Sequence, residues 1–252
     1  MKRSAAFPVS LFIPVLLLLA GPALHAQWEV KQETIGEGVP SWLAVVESSD
    51  HKLLFWVEYP TDGYCIPQAV LKSVGWNAFA YDGGPAGRSP TVLRFTRDRL
   101  LQLPGYAANG FIFMWEMDKE QLAEMAAGLA EEKQLIVSLP GREGEVAGTF
   151  GLEGASSAMQ KACAACEDEF FAANDFVFPD SGGRLLDKEE IGFLSKRMLR
   201  IARNEIYARR GYVFKDPLLN EFFKRKKWYR PAAGEVQLSE VEKSNAALLA
   251  SL

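Results

Sequence analysis

The chain has 252 residues, 48% of them hydrophobic and 24% charged, with a formal net charge of −4. This is an ordinary globular composition, long enough for one or two hydrophobic cores, and it excludes a disordered chain. Beyond residue 26 the only histidine is His51, which excludes a zinc site built on two or more histidines.

Lys2 and Arg3 come first, and from Ser4 to Ala20 the only polar side chains are Ser4 and Ser10. Small residues follow at Gly21, Ala23 and Ala26. This is the pattern of a secretory signal peptide over residues 1–26, with Gln27 as the first mature residue. Pro8 and Pro14 interrupt the run, and its unbroken part is too short to span a bilayer. No cysteine lies at the cleavage region, which argues against a lipid anchor. No later segment reaches spanning length. The expected mature protein is exported, periplasmic or extracellular, with no integral membrane segment.

Charge then divides the chain. From Gln27 to Asp175 there are 11 Lys and Arg against 22 Asp and Glu; from Phe176 to Leu252 there are 15 against 10. The change falls at Ala172–Asp175, just before the turn-forming run Pro179–Gly183. The expectation is an acidic domain over 27–172 and a basic one over 173–252.

In the acidic part, Trp42–Val46 and Leu53–Val57 read as strands joined by a hairpin turn at Ser48–His51. Gly110–Trp115 and Gln134–Leu139 read as further strands. Between them Asp118 and Gln121 form a capping box. Leu122, Met125, Ala126 and Leu129 fall on one face of a helix over 119–131. Thr149–Leu152 reads as a last strand and Ser156–Cys166 as a second helix, giving a β-rich α+β domain. Phe150-Gly151-Leu152, Gly154, Ala158-Met159 and Cys166 resemble the ending of exported proteins of the invasion-associated locus B type, with Ala155 where those carry an aromatic residue.

An oxidising compartment implies a disulfide among Cys65, Cys163 and Cys166. Cys65–Cys166 is the expected bond, with Cys163 as the alternative partner. Cys163-Ala164-Ala165-Cys166 has the spacing of a redox motif. It lies far from a helix N-terminus, however, and Glu167, Asp168 and Glu169 follow it, so no stabilised thiolate is expected.

In the basic part, Asp187 with Glu190 marks a short helix through Leu194. Ser195 caps the next helix, which runs to Arg210 and stops at Gly211. Leu199, Ala202 and Ile206 share one face, and Ile201 and Ala208 the opposite one. A helix apolar on two sides is central to its module, so Arg203, Asn204, Glu205 and Arg209 should be partly enclosed and need partners. Asp216-Pro217 starts a third helix, carrying Leu218, Leu219, Phe222 and Phe223. It ends at Lys224–Lys227, followed by Trp228 and Tyr229. Ser239 with Glu242 opens a last helix. The run Arg203-Asn204-Glu205-Ile206-Tyr207-Ala208-Arg209-Arg210-Gly211, with Phe178–Ser181, Phe214–Asp216, Phe222-Phe223, Trp228-Tyr229 and Glu242–Asn245, resembles the YARHG domain, a small module of secreted bacterial proteins. The resemblance covers 178–252. It implies an envelope setting and no defined activity, and Arg210 stands where the name has histidine.

No catalytic, metal or cofactor motif is present: GxSxG, HExxH, Walker A and dinucleotide fingerprints are all missing. The candidate binding residues are Lys224, Arg225, Lys226, Lys227, Trp228 and Tyr229. Their cations suit carboxylate or phosphate and their rings suit sugar or apolar faces. The expected function is binding, without catalysis, of a cell-wall polymer or envelope protein; export argues against nucleic acid. A hydrolase using carboxylates that no spacing distinguishes, and a periplasmic assembly or stability factor, are the alternatives.

Overall fold

The structure is a computed structural model, and it describes residues 27–35, 39–74, 88–96, 98–108, 111–114, 116–141 and 144–252. The expected signal peptide, Gly110 and Trp115 lie outside these residues.

Nine strands form one antiparallel sheet. In chain order they are β1 (Glu29–Ile35), β2 (Val39–Glu47), β3 (Leu53–Pro60), β4 (Gln68–Ser73), β5 (Arg88–Arg94), β6 (Leu100–Ala108), β7 (Phe111–Met114), β8 (Gln134–Gly141) and β9 (Gly144–Gly151). Their order across the sheet is β1-β2-β3-β4-β7-β6-β5-β8-β9. The β2–β3 hairpin turns where its sequence predicts. Ser48 Oγ accepts the Leu53 N–H at 2.9 Å and donates to Asp50 at 2.7 Å, and His51 takes the left-handed conformation at φ 59°. The sheet curls until its two ends meet. The Ser49 N–H reaches the Thr149 carbonyl of β9 at 2.9 Å, and Phe55 packs on Phe150 at 5.7 Å between ring centroids.

Helix α1 (Lys119–Glu131) has the predicted bounds and the predicted capping box. Helix α2 (Ala155–Ala173) runs well past the Cys166 limit read from sequence. The acidic run that suggested an end is satisfied by partners distant in the chain. Glu167 is buried and bound by Ser195 and Arg197, while Glu169 accepts from Trp42 and Gln32, both at 2.9 Å. Phe170 and Phe171 then continue the apolar face. The strands β1, β4, β5 and β6 had no counterpart in the sequence reading, and β9 begins five residues before Thr149. A disulfide joins Cys65, after β3, to Cys166 in the middle of α2. Cys163 stays free, and burial together with Glu167 pushes its thiol up to about 12.

The C-terminal part holds α3 (Lys188–Ile191), α4 (Lys196–Arg209), α5 (Pro217–Lys224) and α6 (Glu240–Ala250). Asp187, Ser195, Asp216 and Ser239 cap them as predicted, although α3 ends before Leu194. Leu199, Ile201, Ala202, Ile206 and Ala208 are all buried, so both apolar sides of α4 are covered. Gly211 leaves the helix at φ +82°, and a Cβ there would stand 2.9 Å from the Arg230 carbonyl oxygen. One hydrophobic core runs without a break from the sheet through α2 into these helices.

Candidate functional site

The signature run of α4 ties segments together. Glu205 is buried. It accepts the Val177 N–H at 2.6 Å and pairs with Arg209 one turn on. Arg209 donates to the carbonyls of Phe178 (2.6 Å) and Pro179 (3.1 Å), and its guanidinium lies 4.5 Å from the centroid of Phe176. Burial, opposed by Arg209, raises the Glu205 carboxyl above its ordinary value. Arg210 holds buried Glu242 at 2.9 Å, and Glu242 in turn accepts the Ser239 N–H at 2.8 Å. Burial works against ionisation of Glu242, but the bonds from Arg210 and Ser239 prevail and keep its carboxyl below the ordinary value. Asn204 bonds the Arg200 carbonyl, and Tyr207 meets Tyr212 edge to face. Arg203 lies over Tyr207, with its Nε buried and without a hydrogen-bond partner among the described residues. These residues hold Val177–Ser181 and α6 against α4.

The basic aromatic end of α5 is split between two roles. Lys226 directs Nζ at the carbonyls of Phe171 and Asn174, each at 2.6 Å, and burial lowers its pKa. Trp228 donates to the Asp175 carbonyl at 3.0 Å and stacks on Phe176 at 4.8 Å. Buried Tyr229 donates its hydroxyl to the Tyr212 carbonyl at 2.6 Å. Lys226 and Trp228 dock the end of α5 onto the end of α2 and the residues that follow it, and Tyr229 ties it to the segment after α4. Lys224, Arg225 and Lys227 face solvent, with Arg225 paired to Glu221.

Beside them a groove of about 630 Å³ opens between α2, the start of α4 and the end of α5. Its cations are Arg197, Arg225, Lys226 and Lys227, and its carboxylates are Asp168 and Asp175. Phe171 and Phe222, edge to face at 5.1 Å, supply its apolar wall. Arg197 pairs with Asp168 at 2.5 Å and Glu167 at 3.1 Å and lies over Phe171. Sequence reasoning missed Arg197, Asp168, Phe171 and Asp175 here. The signal that would have found the α2 residues is the continuation of that helix, which turns Asp168, Phe171 and Ala172 toward one side; Asp175 follows its end. Among the described residues no cluster of His, Cys, Asp and Glu is arranged to hold a metal ion.

The C-terminal part is thus a small capped-helix module in which arginine–carboxylate pairs fix a central helix. Residues 174–252 match the family model described as the YARHG domain, starting one residue after α2 ends, so the C-terminal third of the chain is a YARHG domain. YARHG domains occur in extracytoplasmic proteins, and among the described residues no helix is long and apolar enough to cross a membrane. No curated protein and no solved structure matches the chain. The resemblance of the N-terminal part to the invasion-associated locus B type is not confirmed by these comparisons.

Proposed function

We propose that this is an exported, non-enzymatic binding protein of the bacterial envelope. In this reading residues 1–26 are removed, and an acidic domain over 27–172 presents α2 to the YARHG domain over 173–252. The junctional groove takes a segment of cell-wall polymer that carries both carboxylates and amines, as peptide-bearing glycans do. The observation that carries the reading is the groove lining: solvent-facing Arg225 and Lys227 beside the Phe171–Phe222 wall, with Asp168 and Asp175 opposite. Arginine and lysine suit carboxylates, aromatic rings suit sugar faces, and the two aspartates suit an ammonium group. The buried carboxylates Glu167, Glu205 and Glu242 are each held by an arginine, which supports a structural role for them.

The test is co-sedimentation of the full mature chain with purified peptidoglycan at low and moderate salt. Retention is expected, and Arg225→Glu with Lys227→Glu should weaken it about tenfold, a loss of about 1.4 kcal/mol. Absence of retention at either salt concentration would overturn the reading.

A further inference from the structure

The charges that line the junctional groove are not equally available to a ligand. Arg197 is engaged by Asp168 at 2.5 Å and by Glu167 at 3.1 Å. Arg225 pairs with Glu221, and Lys226 directs Nζ at the carbonyls of Phe171 and Asn174. Asp175 and Lys227 are left. Both line the groove, both are exposed, and neither has an ion-pair partner among the described residues. Asp175 is near enough to Lys226 to favour its charged form, but it does not bond it.

These two charges are held near one another by contacts that use neither of them. The Trp228 indole N–H donates to the Asp175 carbonyl at 3.0 Å, and Lys227 is the residue just before Trp228. Trp228 also stacks at 4.8 Å on Phe176, the residue just after Asp175. The segment after α2 and the segment after α5 are therefore pinned at one crossing, with a carboxylate on one and an ammonium on the other. Such fixing lowers the ordering cost of binding. Half-buried Phe222 stands beside them as an apolar surface, and exposed Ala172 leaves room in front of it. A ligand that fits presents an ammonium and a carboxylate from one end, with an apolar arm behind them.

Resting on the reading of this groove as a cell-wall site, we propose that it recognises the free end of a diamino acid side chain in an uncrosslinked stem peptide. That end is a carbon bearing both an ammonium and a carboxylate, carried on a short methylene arm. The arm lies on Phe222, the ammonium faces Asp175 and the carboxylate faces Lys227. Cross-linking converts the ammonium to an amide, which brings no charge to Asp175. Binding therefore falls as the polymer becomes more cross-linked.

The test is calorimetric titration of the full mature chain with soluble tripeptides, each acetylated on its alanine amine. The first is L-alanyl-γ-D-glutamyl-meso-diaminopimelate. The second is the same peptide acetylated also on its side-chain amine. The third has L-lysine in the last position, which keeps the side-chain ammonium and lacks the carboxylate beside it. The first should bind saturably and the other two about tenfold more weakly. Asp175→Asn should bind the first and second within about twofold of each other, and Lys227→Met should do so for the first and third. Circular dichroism of each variant verifies the fold. The proposal is overturned if no peptide binds saturably, if the side-chain acetyl group makes no difference to wild type, or if Asp175→Asn still discriminates against it. Retention on whole peptidoglycan without preference among the peptides overturns this proposal alone; loss of that retention overturns the reading of the groove as well.

Discussion

The two parts of this molecule are held by different means. In the sheet part, buried aliphatic and aromatic residues on nine paired strands carry the structure, and most ion pairs lie at the surface. Arg99, for example, meets Glu124, Glu131 and Glu132, all of them substantially exposed. In the helical part, arginines reach inward to carboxylates that are almost completely buried: Arg209 to Glu205, Arg210 to Glu242 and, across the junction, Arg197 to Glu167. Exposed pairs contribute little to stability, whereas a buried carboxylate that loses its partner is left uncompensated. Burial of the acid, not the presence of a pair, decides what each contact is worth.

The sharpest break of this comparison is a pair of substitutions. Arg209→Met should cost about 3–5 kcal/mol in chemical denaturation, because Glu205 stays buried without its guanidinium. Arg99→Met, which removes three pairs, should cost about 1 kcal/mol or less. Equal losses would refute the distinction. Next comes the covalent tie of the sheet part. Replacing Cys65 and Cys166 by serine opens a loop of sequence separation 101, and the expected loss is about 2–4 kcal/mol. A mild reductant should give the same shift in wild type.

Gly211→Ala tests the module's single left-handed exit. That conformation costs a non-glycine residue about 1–2 kcal/mol, and the close Arg230 carbonyl adds to it. Thermal unfolding should register the drop, while Gly234→Ala, with open space around its Cβ position, should stay near wild type.

The smallest effect is the pH response. Arg184 holds Glu190 below its ordinary value of 4.5, and Arg210 with Ser239 does so for Glu242 against the effect of burial. Asp216 is likewise held below 3.8 by the Leu219 N–H, with Arg200 assisting. A carboxylate with a lowered folded value contributes stability that is complete above its unfolded value and lost as pH falls through the folded one. Denaturation midpoints should hold at neutral pH and fall below the ordinary carboxylate range. Glu205, raised by burial, has the opposite sign and partly offsets the loss. Arg210→Met should flatten the acid-side slope; an unchanged slope would count against the assignment to Glu242.

The same contrast explains what was legible in the sequence. The caps Asp118, Asp187, Ser195, Asp216 and Ser239 are local chemistry, each side chain bonding a backbone N–H two or three residues on. Their helices could be placed from neighbours alone. The apolar runs of β2, β3 and β8 were also local. Strand β5 was not legible: it carries Pro90, and it is defined by pairing with β6 and β8, up to 46 residues away at Val92–Ser138. The extension of α2 was hidden because Glu167, Asp168 and Glu169 look like a solvated end until Ser195, Arg197 and Trp42 are brought to them. The same oversight hid one wall of the groove. Lys224–Tyr229 was visible as a cationic aromatic cluster, but the division between residues that dock α5 and residues that face solvent is tertiary.

The central claim is that binding resides in a groove to which both parts contribute. The most direct measurement compares, in one titration on purified peptidoglycan, wild type with Lys227→Glu just after α5 and Asp168→Lys on α2. The account predicts saturable binding by wild type and a loss of about fivefold or more for each variant, about 1 kcal/mol, with unchanged unfolding midpoints. Wild-type affinity in both variants would contradict it.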